Sequence, residues 1–180
     1  TGALATAGIG TAIGSFYTAA AEGKDITVYA CETRPLLQGA RLTSWELDRA
    51  GIRTILITDS MAAFIMKTEK IDLVMVGADR IAHNGDTANK IGTLGLAVLA
   101  RHFGIPFYVV APSTSVDPNL ASGNLIHIEE RSAGEVRTIA GIPTSPEHIA
   151  VRNPAFDVTP AELIRAIVTE KQIHFPPYSF

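Results

Sequence analysis

Several features that quickly assign a chain to a class of protein are missing from this sequence. Cys31 is the only cysteine, which excludes an internal disulfide and favours a reducing compartment. The net charge is −3 and the pI is near 5.9, and this balance argues against a nucleic-acid-binding surface. The longest apolar stretch, 3–21, consists of small residues, which predicts a buried helix rather than a membrane span. We therefore expect a cytoplasmic protein that binds neither nucleic acid nor membranes.

Sequence motifs for metal and nucleotide chemistry are also absent. The five histidines are scattered, and no two have the H-x-x-x-H spacing that places two metal ligands on one helix face. The chain has no G-x-x-x-x-G-K-[ST] phosphate loop and no G-x-S-x-G nucleophile elbow. We therefore predict a site without a metal ion or a cofactor.

The sequence does contain enough apolar residues to form the core of one well-packed domain. Hydrophobic residues make up 47% of the 180 residues and charged residues 18%. Strand and helix patterns alternate, which predicts an α/β fold with a parallel sheet and helices on both faces. The predicted strands are 25–30, 53–58, 71–76 and 107–111, and the predicted helices are 3–22, 42–50, 61–67 and 90–102. The less regular remainder is predicted to contain a strand at 126–131, a turn at 153–157, a helix at 159–168 and a strand at 170–173.

The most informative stretch begins at the strand 71–76 and continues to Lys90. Asp79 follows the carboxyl end of that strand, where open α/β sheets bind their ligands. A polar loop leads from it to Asn89 and Lys90, which we place at a helix start whose free N–H groups would attract a phosphate. The alternatives are that Asp79 is a solvated carboxylate or the partner of Arg80, and that Lys90 is a surface lysine.

A second loop, 31–40, follows the strand 25–30 and offers further polar side chains. Arg34 and Gln38 are its candidates for a ligand contact. The alternative is that Arg34 pairs with a carboxylate and Gln38 holds the loop by hydrogen bonds. Cys31 stands at the same strand end and could be a nucleophile, but we favour a buried, apolar cysteine.

Four long motifs give the chain a family resemblance. They are Cys31-Glu-Thr-Arg-Pro-Leu-Leu-Gln-Gly-Ala-Arg-Leu-Thr, Val76-Gly-Ala-Asp-Arg-Ile, Asn84-Gly-Asp-Thr-Ala-Asn-Lys-Ile-Gly-Thr and Asn153-Pro-Ala-Phe-Asp-Val-Thr-Pro. Together they resemble the S-methyl-5-thioribose-1-phosphate isomerase family, over nearly the whole chain. The same superfamily includes archaeal ribose-1,5-bisphosphate isomerases and the regulatory subunits of a guanine-nucleotide-exchange initiation factor. The intact Gly-Ala-Asp-Arg and Asn-Lys segments favour an enzyme.

The resemblance implies a particular reaction and particular site residues. The family converts 5-methylthioribose 1-phosphate, an aldose, to the corresponding ketose in methionine salvage, usually as a homodimer. It implies Asp79 as the catalytic acid or base, with Gln38, Asn89 and Lys90 as contacts to the sugar phosphate. It also implies that 1–180 is a Rossmann-like carboxyl-terminal domain, because Thr1-Gly-Ala-Leu-Ala-Thr6 matches the end of a motif that opens with a catalytic Cys-Asn pair. We expect that pair and a small amino-terminal domain upstream, and impaired activity without them.

Overall fold

The computed structural model of the protein describes residues 9–180, so the first part of the predicted helix 3–22 lies outside the described residues. The helices in that range are α1 (Thr11–Ala21), α2 (Ser44–Arg49), α3 (Ala62–Thr68), α4 (Thr93–Phe103) and α5 (Ala133–Arg137). The strands are β1 (Thr27–Cys31), β2 (Arg53–Ile57), β3 (Val74–Val76), β4 (Arg80–Ala82), β5 (Thr87–Lys90), β6 (Phe107–Val110), β7 (Val116–Asp117), β8 (Thr138–Ile139), β9 (Ile142–Pro143), β10 (Phe156–Thr159), β11 (Ala166–Val168) and β12 (Ile173–His174). A π-helical turn, Gly39–Thr43, runs directly into α2.

The strands confirm the expected α/β class. Strands β1 and β2 form a parallel pair, and β3, β6 and β11 are parallel neighbours in a second sheet that β12 extends in the antiparallel sense. The strands predicted to form one parallel sheet thus fall into two separate hydrogen-bonded sheets. A third sheet has the order β10-β5-β4-β7, and its strands alternate along the chain with those of the second sheet. This third sheet carries the residues of greatest functional interest.

The main core lies between α4 and the β6–β11 pair. Phe107, Val109 and Ile167 are buried on the strands, where continuous apolar sequence suits a strand covered on both faces. Helix α4 presents Ala97 and Ala100, both fully buried, and these small side chains let the helix lie close to the sheet. Each large side chain buried here contributes roughly 1.5–3 kcal/mol. This core holds the carboxyl ends of the parallel strands in place.

Two predicted elements in the carboxyl-terminal third are wrong. The predicted helix 159–168 is a single 3₁₀ turn, Ala161–Leu163, followed by strand β11. Ile164, Ala166 and Ile167 are all buried, and such closely spaced buried residues suit a central strand better than an amphipathic helix. The predicted turn 153–157 is wrong over its second half, because Phe156 and Asp157 begin β10 and pair with β5.

Two further predicted strands are present only in shortened or displaced form. The predicted strand 126–131 is reduced to a single bridge between Glu130 and Pro154, preceded by a 3₁₀ turn at Gly123–Leu125. The predicted last strand 170–173 is displaced toward the carboxyl end as β12, which pairs with β11.

Asp59 and Ser60 precede the predicted helix 61–67, which predicts that one of their side chains caps it, and this prediction is wrong. Neither Asp59 nor Ser60 caps the helix with its side chain. The Asp59 carboxylate instead accepts the backbone N–H groups of Thr33 and Arg34, at 2.9 and 2.7 Å. Asp59 therefore ties the loop after β1 to the end of β2.

One buried hydroxyl yields a stability prediction. Thr159 is fully buried, and its Oγ1 has no hydrogen-bond partner among the described residues. An unsatisfied buried hydroxyl destabilises a fold by roughly 1–3 kcal/mol, so Thr159→Val, which keeps the shape, should raise the free energy of unfolding by about 1 kcal/mol. Urea denaturation measures the change. Thr159→Ser keeps the hydroxyl and loses a methyl group, so it should lower the free energy of unfolding. A valine variant less stable than the wild type would mean that the hydroxyl has a hydrogen-bond partner after all.

Candidate active site

The loop that carries Asp79 is fixed by hydrogen bonds from both of its neighbours. The Asp79 N–H donates to the carbonyl of Ala88 on β5, at 2.9 Å. On the other side, the Ser115 hydroxyl, from the loop after β6, donates to the carbonyl of Ala78 at 3.1 Å. The carboxylate is thereby held just beyond the carboxyl end of β3, as the sequence predicts.

The electrostatic surroundings of Asp79 differ from those of a surface carboxylate. Burial raises its pKa above the usual value, and the positive charge of Lys90 offsets only part of that rise. The alternative in which Asp79 pairs with Arg80 is not what the structure has, because the Arg80 guanidinium lies 3.3 Å from Asp117. Asp79 thus keeps a raised pKa, is accessible to solvent and lies near Lys90, an arrangement suited to proton transfer.

Strand β5 directs Asn89 and Lys90 to different surroundings. Its antiparallel partner β10 places Phe156 opposite Lys90 and Asp157 opposite Asn89. Lys90 Nζ lies 4.5 Å from the centroid of the Phe156 ring, a cation–π contact. The Asn89 side chain instead turns to the start of α4, where its Nδ2 donates to the Thr93 hydroxyl. Neighbouring strand residues point to opposite faces, so this division is the expected one.

The predicted anion site at a helix start is wrong. Asn89 and Lys90 lie on β5, and α4 begins three residues after Lys90, at Thr93. The backbone N–H groups of Gly92 and Leu94 donate to the carboxylate of Asp157, at 2.8 and 3.0 Å. A carboxylate of the protein itself thus occupies the place that we had predicted for a phosphate.

Gln38 and Lys90 line a common cleft. The loop after β1 forms one wall, and segments of β5, α5 and the chain before β10 form the other. The lining residues are Pro35, Leu36, Gln38, Lys90, Ile91, Arg131, Glu135, Asn153, Pro154 and Ala155. The enclosed space is about 10 Å³, room for about one water molecule. The structure therefore brings Lys90 near both Asp79 and Gln38.

The two polar candidates of the β1 loop behave differently. The Arg34 guanidinium donates to the carbonyls of Val136 and Pro35, at 2.8 and 3.1 Å. It is thus used to hold the loop against α5, although by carbonyls rather than the carboxylate we considered. Gln38 Oε1 is buried and has no hydrogen-bond partner among the described residues. Buried polar atoms are normally satisfied, so Gln38 is the better candidate for a ligand contact.

Sequence reasoning missed three polar residues of the cleft. Arg131 pairs with Glu135 through two guanidinium nitrogens, at 2.7 and 2.9 Å, and Asn153 Nδ2 donates to the same carboxylate at 3.1 Å. Hydrogen bonds from Arg131 hold the pKa of Glu135 below its usual value, and the charge of Lys90 adds to that effect. The four-residue spacing of Arg131 and Glu135 was the available signal.

Cys31 has the properties of an unreactive cysteine. Burial, together with the negative charges of Asp59 and Glu32, raises the pKa of its thiol to about 11. The nucleophilic form of cysteine is the thiolate, and at neutral pH this thiol stays protonated. The electrostatics thus favour the interpretation of Cys31 as a packing residue.

Two features are absent from residues 9–180. In that part of the chain, no group of three or more His, Cys, Asp or Glu side chains is arranged to hold a metal ion. No helix there is long and apolar enough to span a membrane.

These features define an α/β domain with a small cleft between the loop that follows β1 and the end of β5. The chain belongs to the Initiation factor 2 subunit family, whose profile matches residues 3–175. This confirms the superfamily that the four sequence motifs indicated.

Relatives within that family bear two kinds of name. Proteins named methylthioribose-1-phosphate isomerase from Pelotomaculum thermopropionicum and Chloroflexus aurantiacus are 61% and 60% identical over 98% of this chain, and the matches cover 49% and 51% of those proteins. The solved structure of 5-methylthioribose 1-phosphate isomerase from Pyrococcus horikoshii is 49% identical with a TM-score of 0.94, over 98% of this chain and 49% of that one. The structure of translation initiation factor eIF-2B, subunit delta, from A. fulgidus is 46% identical with a TM-score of 0.90, over 94% of this chain and 49% of that one. The chain spans about half the length of the curated relatives it matches.

Proposed function

We propose that the chain supplies the catalytic acid and the sugar contacts of an aldose–ketose isomerase that converts 5-methylthioribose 1-phosphate to 5-methylthioribulose 1-phosphate in methionine salvage. The observation that carries the proposal is Asp79, with its raised pKa, near Lys90 and just beyond the carboxyl end of β3, in a chain about 60% identical to proteins bearing that enzyme's name.

The chemistry of the substrate explains the need for a carboxyl group of raised pKa. The phosphate on C1 prevents simple opening of the sugar ring to a free aldehyde. The ring oxygen must gain a proton as its bond to C1 breaks, and a hydrogen must move from C2 to C1. Asp79, protonated more readily than an ordinary aspartate because it is partly buried, donates the proton to the ring oxygen.

The remaining residues hold the sugar phosphate. Gln38 Oε1, which lacks a partner in the described structure, accepts a hydrogen bond from a sugar hydroxyl. Lys90 supplies a positive charge, and Asn89 a polar group on the adjoining position. A cleft of about 10 Å³ does not enclose a sugar phosphate, so the substrate lies across its mouth or separates its walls. An amino-terminal domain with the Cys-Asn pair would cover that mouth, with 1–180 as the Rossmann-like domain beneath.

A second candidate function is that of a binding subunit. The 46% identity to the A. fulgidus structure named for an initiation factor subunit favours it. In that case the cleft would hold a sugar phosphate or a nucleotide without converting it. A third candidate, ribose-1,5-bisphosphate isomerase, differs from the first at the far end of the substrate, where a phosphate replaces the methylthio group.

One assay separates these functions. The full-length protein is incubated with methylthioribose 1-phosphate and, separately, with ribose 1,5-bisphosphate, and the ketose formed is measured. Turnover of the first substrate alone is the expected result. Turnover of the bisphosphate alone would assign the third function, and binding without turnover of either would assign the second. The chain 1–180 assayed alone should be impaired.

We further propose that the enzyme is a cytoplasmic homodimer. Apolar side chains are exposed on the paired helices α3 and α4 and just before α3, among them Met61, Phe64 and Val98, with 47%, 66% and 50% of their surfaces accessible. An apolar area of this kind commonly marks an interface. Light scattering of the purified protein measures the mass, and a monomer at micromolar concentration would contradict the dimer.

A further inference from the structure

The hydroxyl of Thr93 makes two hydrogen bonds that together fix the orientation of a neighbouring amide. Thr93 is only 4% exposed. Its Oγ1 lies 2.7 Å from the carbonyl oxygen of Lys90 and 2.9 Å from Nδ2 of Asn89. A carbonyl oxygen only accepts hydrogen bonds, so the single proton of the hydroxyl goes to Lys90. Thr93 Oγ1 must then accept from Asn89, and the nitrogen of that amide faces Thr93.

The opposite end of the Asn89 amide consequently faces the loop that carries Asp79. Asn89 Oδ1 is 3.9 Å from the position that a Cβ atom would have on Gly77, and it is the one described atom within 4 Å of that position. No hydrogen bond from a described residue reaches Oδ1. Gly77 lies two residues before Asp79, so this acceptor atom faces the segment that leads to the proposed acid.

The position of Thr93 is itself fixed from outside the helix. Asp157 accepts the backbone N–H groups of Gly92 and Leu94, the residues on either side of Thr93. The carboxylate therefore clamps the backbone that carries the hydroxyl. Asp157 therefore holds Thr93 in place, and Thr93 in turn holds the Asn89 amide.

We propose that Thr93 is a positioning residue that holds the Asn89 amide with its oxygen toward the sugar, so that Oδ1 accepts a hydrogen bond from a substrate hydroxyl beside Asp79. The inference rests on the proposed isomerase function and deepens it by assigning the direction of this contact. Asn89 recognises a substrate hydroxyl group that donates a hydrogen bond, and Thr93 affects substrate binding only through its contact with Asn89.

A double-mutant cycle tests the proposal in the full-length enzyme. Thr93→Val removes the hydroxyl at nearly constant shape, and the loss of one oriented hydrogen bond should lower kcat/KM about tenfold. Thr93→Ser, which keeps the hydroxyl, should restore most of the activity. In the Asn89→Ala background, Thr93→Val should change kcat/KM by less than about twofold, because the amide it orients is gone. An equal loss in both backgrounds would overturn the proposal.

A matched control separates positioning from general destabilisation. Thr87 lies on the same strand as Asn89, is also buried, and donates its hydroxyl to the carbonyl of Gly85 at 3.0 Å. Thr87→Val should lower the melting temperature as Thr93→Val does and leave kcat/KM of the folded enzyme unchanged. A similar loss of kcat/KM in both valine variants would indicate that Thr93 has only a structural role.

A second readout is independent of turnover and decides the matter if the wild-type protein converts neither substrate. In spectra of ¹⁵N-asparagine-labelled protein, the Asn89 side-chain amide protons should exchange slowly with solvent in the wild type and faster in Thr93→Val. An inactive wild type with this difference would reject the isomerase function and retain the orienting role of Thr93. Unchanged exchange in the variant would reject the orienting role itself.

Discussion

Replacing Asp79 with Asn is expected to lower kcat of the proposed isomerisation by a factor on the order of 10²–10⁴, the usual contribution of a positioned acid or base. The amide keeps the shape of the carboxyl group, so KM should change little. Asp72→Asn is the matched control. Asp72 lies just before β3, the strand that Asp79 follows, and it forms an exposed ion pair with Lys70 at 3.8 Å. Steady-state kinetics of both variants measure the effect. Normal turnover in Asp79→Asn would remove Asp79 from the mechanism.

The same substitution should stabilise the fold, and the pH dependence identifies the cause. Burial raises the folded-state pKa of Asp79 above its unfolded value, so the folded protein binds this proton more tightly. The stabilising contribution of the proton is complete below the unfolded pKa and is lost as the pH rises through the folded pKa. Above the folded-state pKa the wild type carries a charge that its surroundings disfavour, and Asp79→Asn removes that charge.

Denaturation with urea at several pH values tests this expectation. The variant should be the more stable protein at pH 7, and the difference should shrink as the pH falls toward about 4, the ordinary pKa of an aspartate. A variant that is less stable at pH 7 would mean that the attraction between Asp79 and Lys90 outweighs the penalty of burial. Higher stability combined with lower activity is the pattern expected where a fold keeps a strained functional group.

The fold was predictable as far as each element could be recognised from its own residues. Strands β1, β2, β3 and β6 each contain Val or Ile within a mostly apolar sequence, and each was predicted to within a few residues. Strand β5 has the sequence Thr-Ala-Asn-Lys, which lacks those residues, and its conformation depends on pairing with β10, more than sixty residues away. The alanine and isoleucine of β11 suit a helix equally well, and only the central position in the sheet decides.

The sequence predicted which residues form the site better than it predicted how they are arranged. Asp79 and Gln38 were expected in loops that follow strands, and Lys90 was expected at a helix start. The structure places Gln38 and Lys90 in one cleft and Asp79 near Lys90; their roles stay predictions. The opposite directions of Asn89 and Lys90 follow from β5, which the sequence did not reveal. Asp157 took the place of the predicted phosphate because a carboxylate from a distant strand satisfies the helix start. Arg131 and Glu135 were not identified as site residues, since nothing in the local sequence indicates which charges face a cleft.

Gly39→Ala should be the most destabilising small substitution in the β1 loop, and it links that loop to the site. A Cβ atom at Gly39 would lie 1.8 Å from the carbonyl oxygen of Cys31 and 2.8 Å from Oγ1 of Thr33. The first contact is with backbone at the end of β1, so no side-chain rotation relieves it. The loop must move away, and we expect the free energy of unfolding to fall by on the order of 3 kcal/mol.

The consequence for function follows from the adjacent residue. Gln38 immediately precedes Gly39, so a loop displacement that makes room for the alanine methyl group also moves Gln38 Oε1 out of the cleft. We therefore expect a higher KM in the fraction of the Gly39→Ala protein that still folds. Gly95→Ala is the matched control, because Gly95 lies within α4 with nothing within 4 Å of an added Cβ, and alanine should stabilise that helix by about 1 kcal/mol. Urea denaturation and substrate titration of the two variants compare the sites directly. If Gly39→Ala were as stable as the wild type with an unchanged KM, the β1 loop would not be the rigid wall that the Gln38 contact requires.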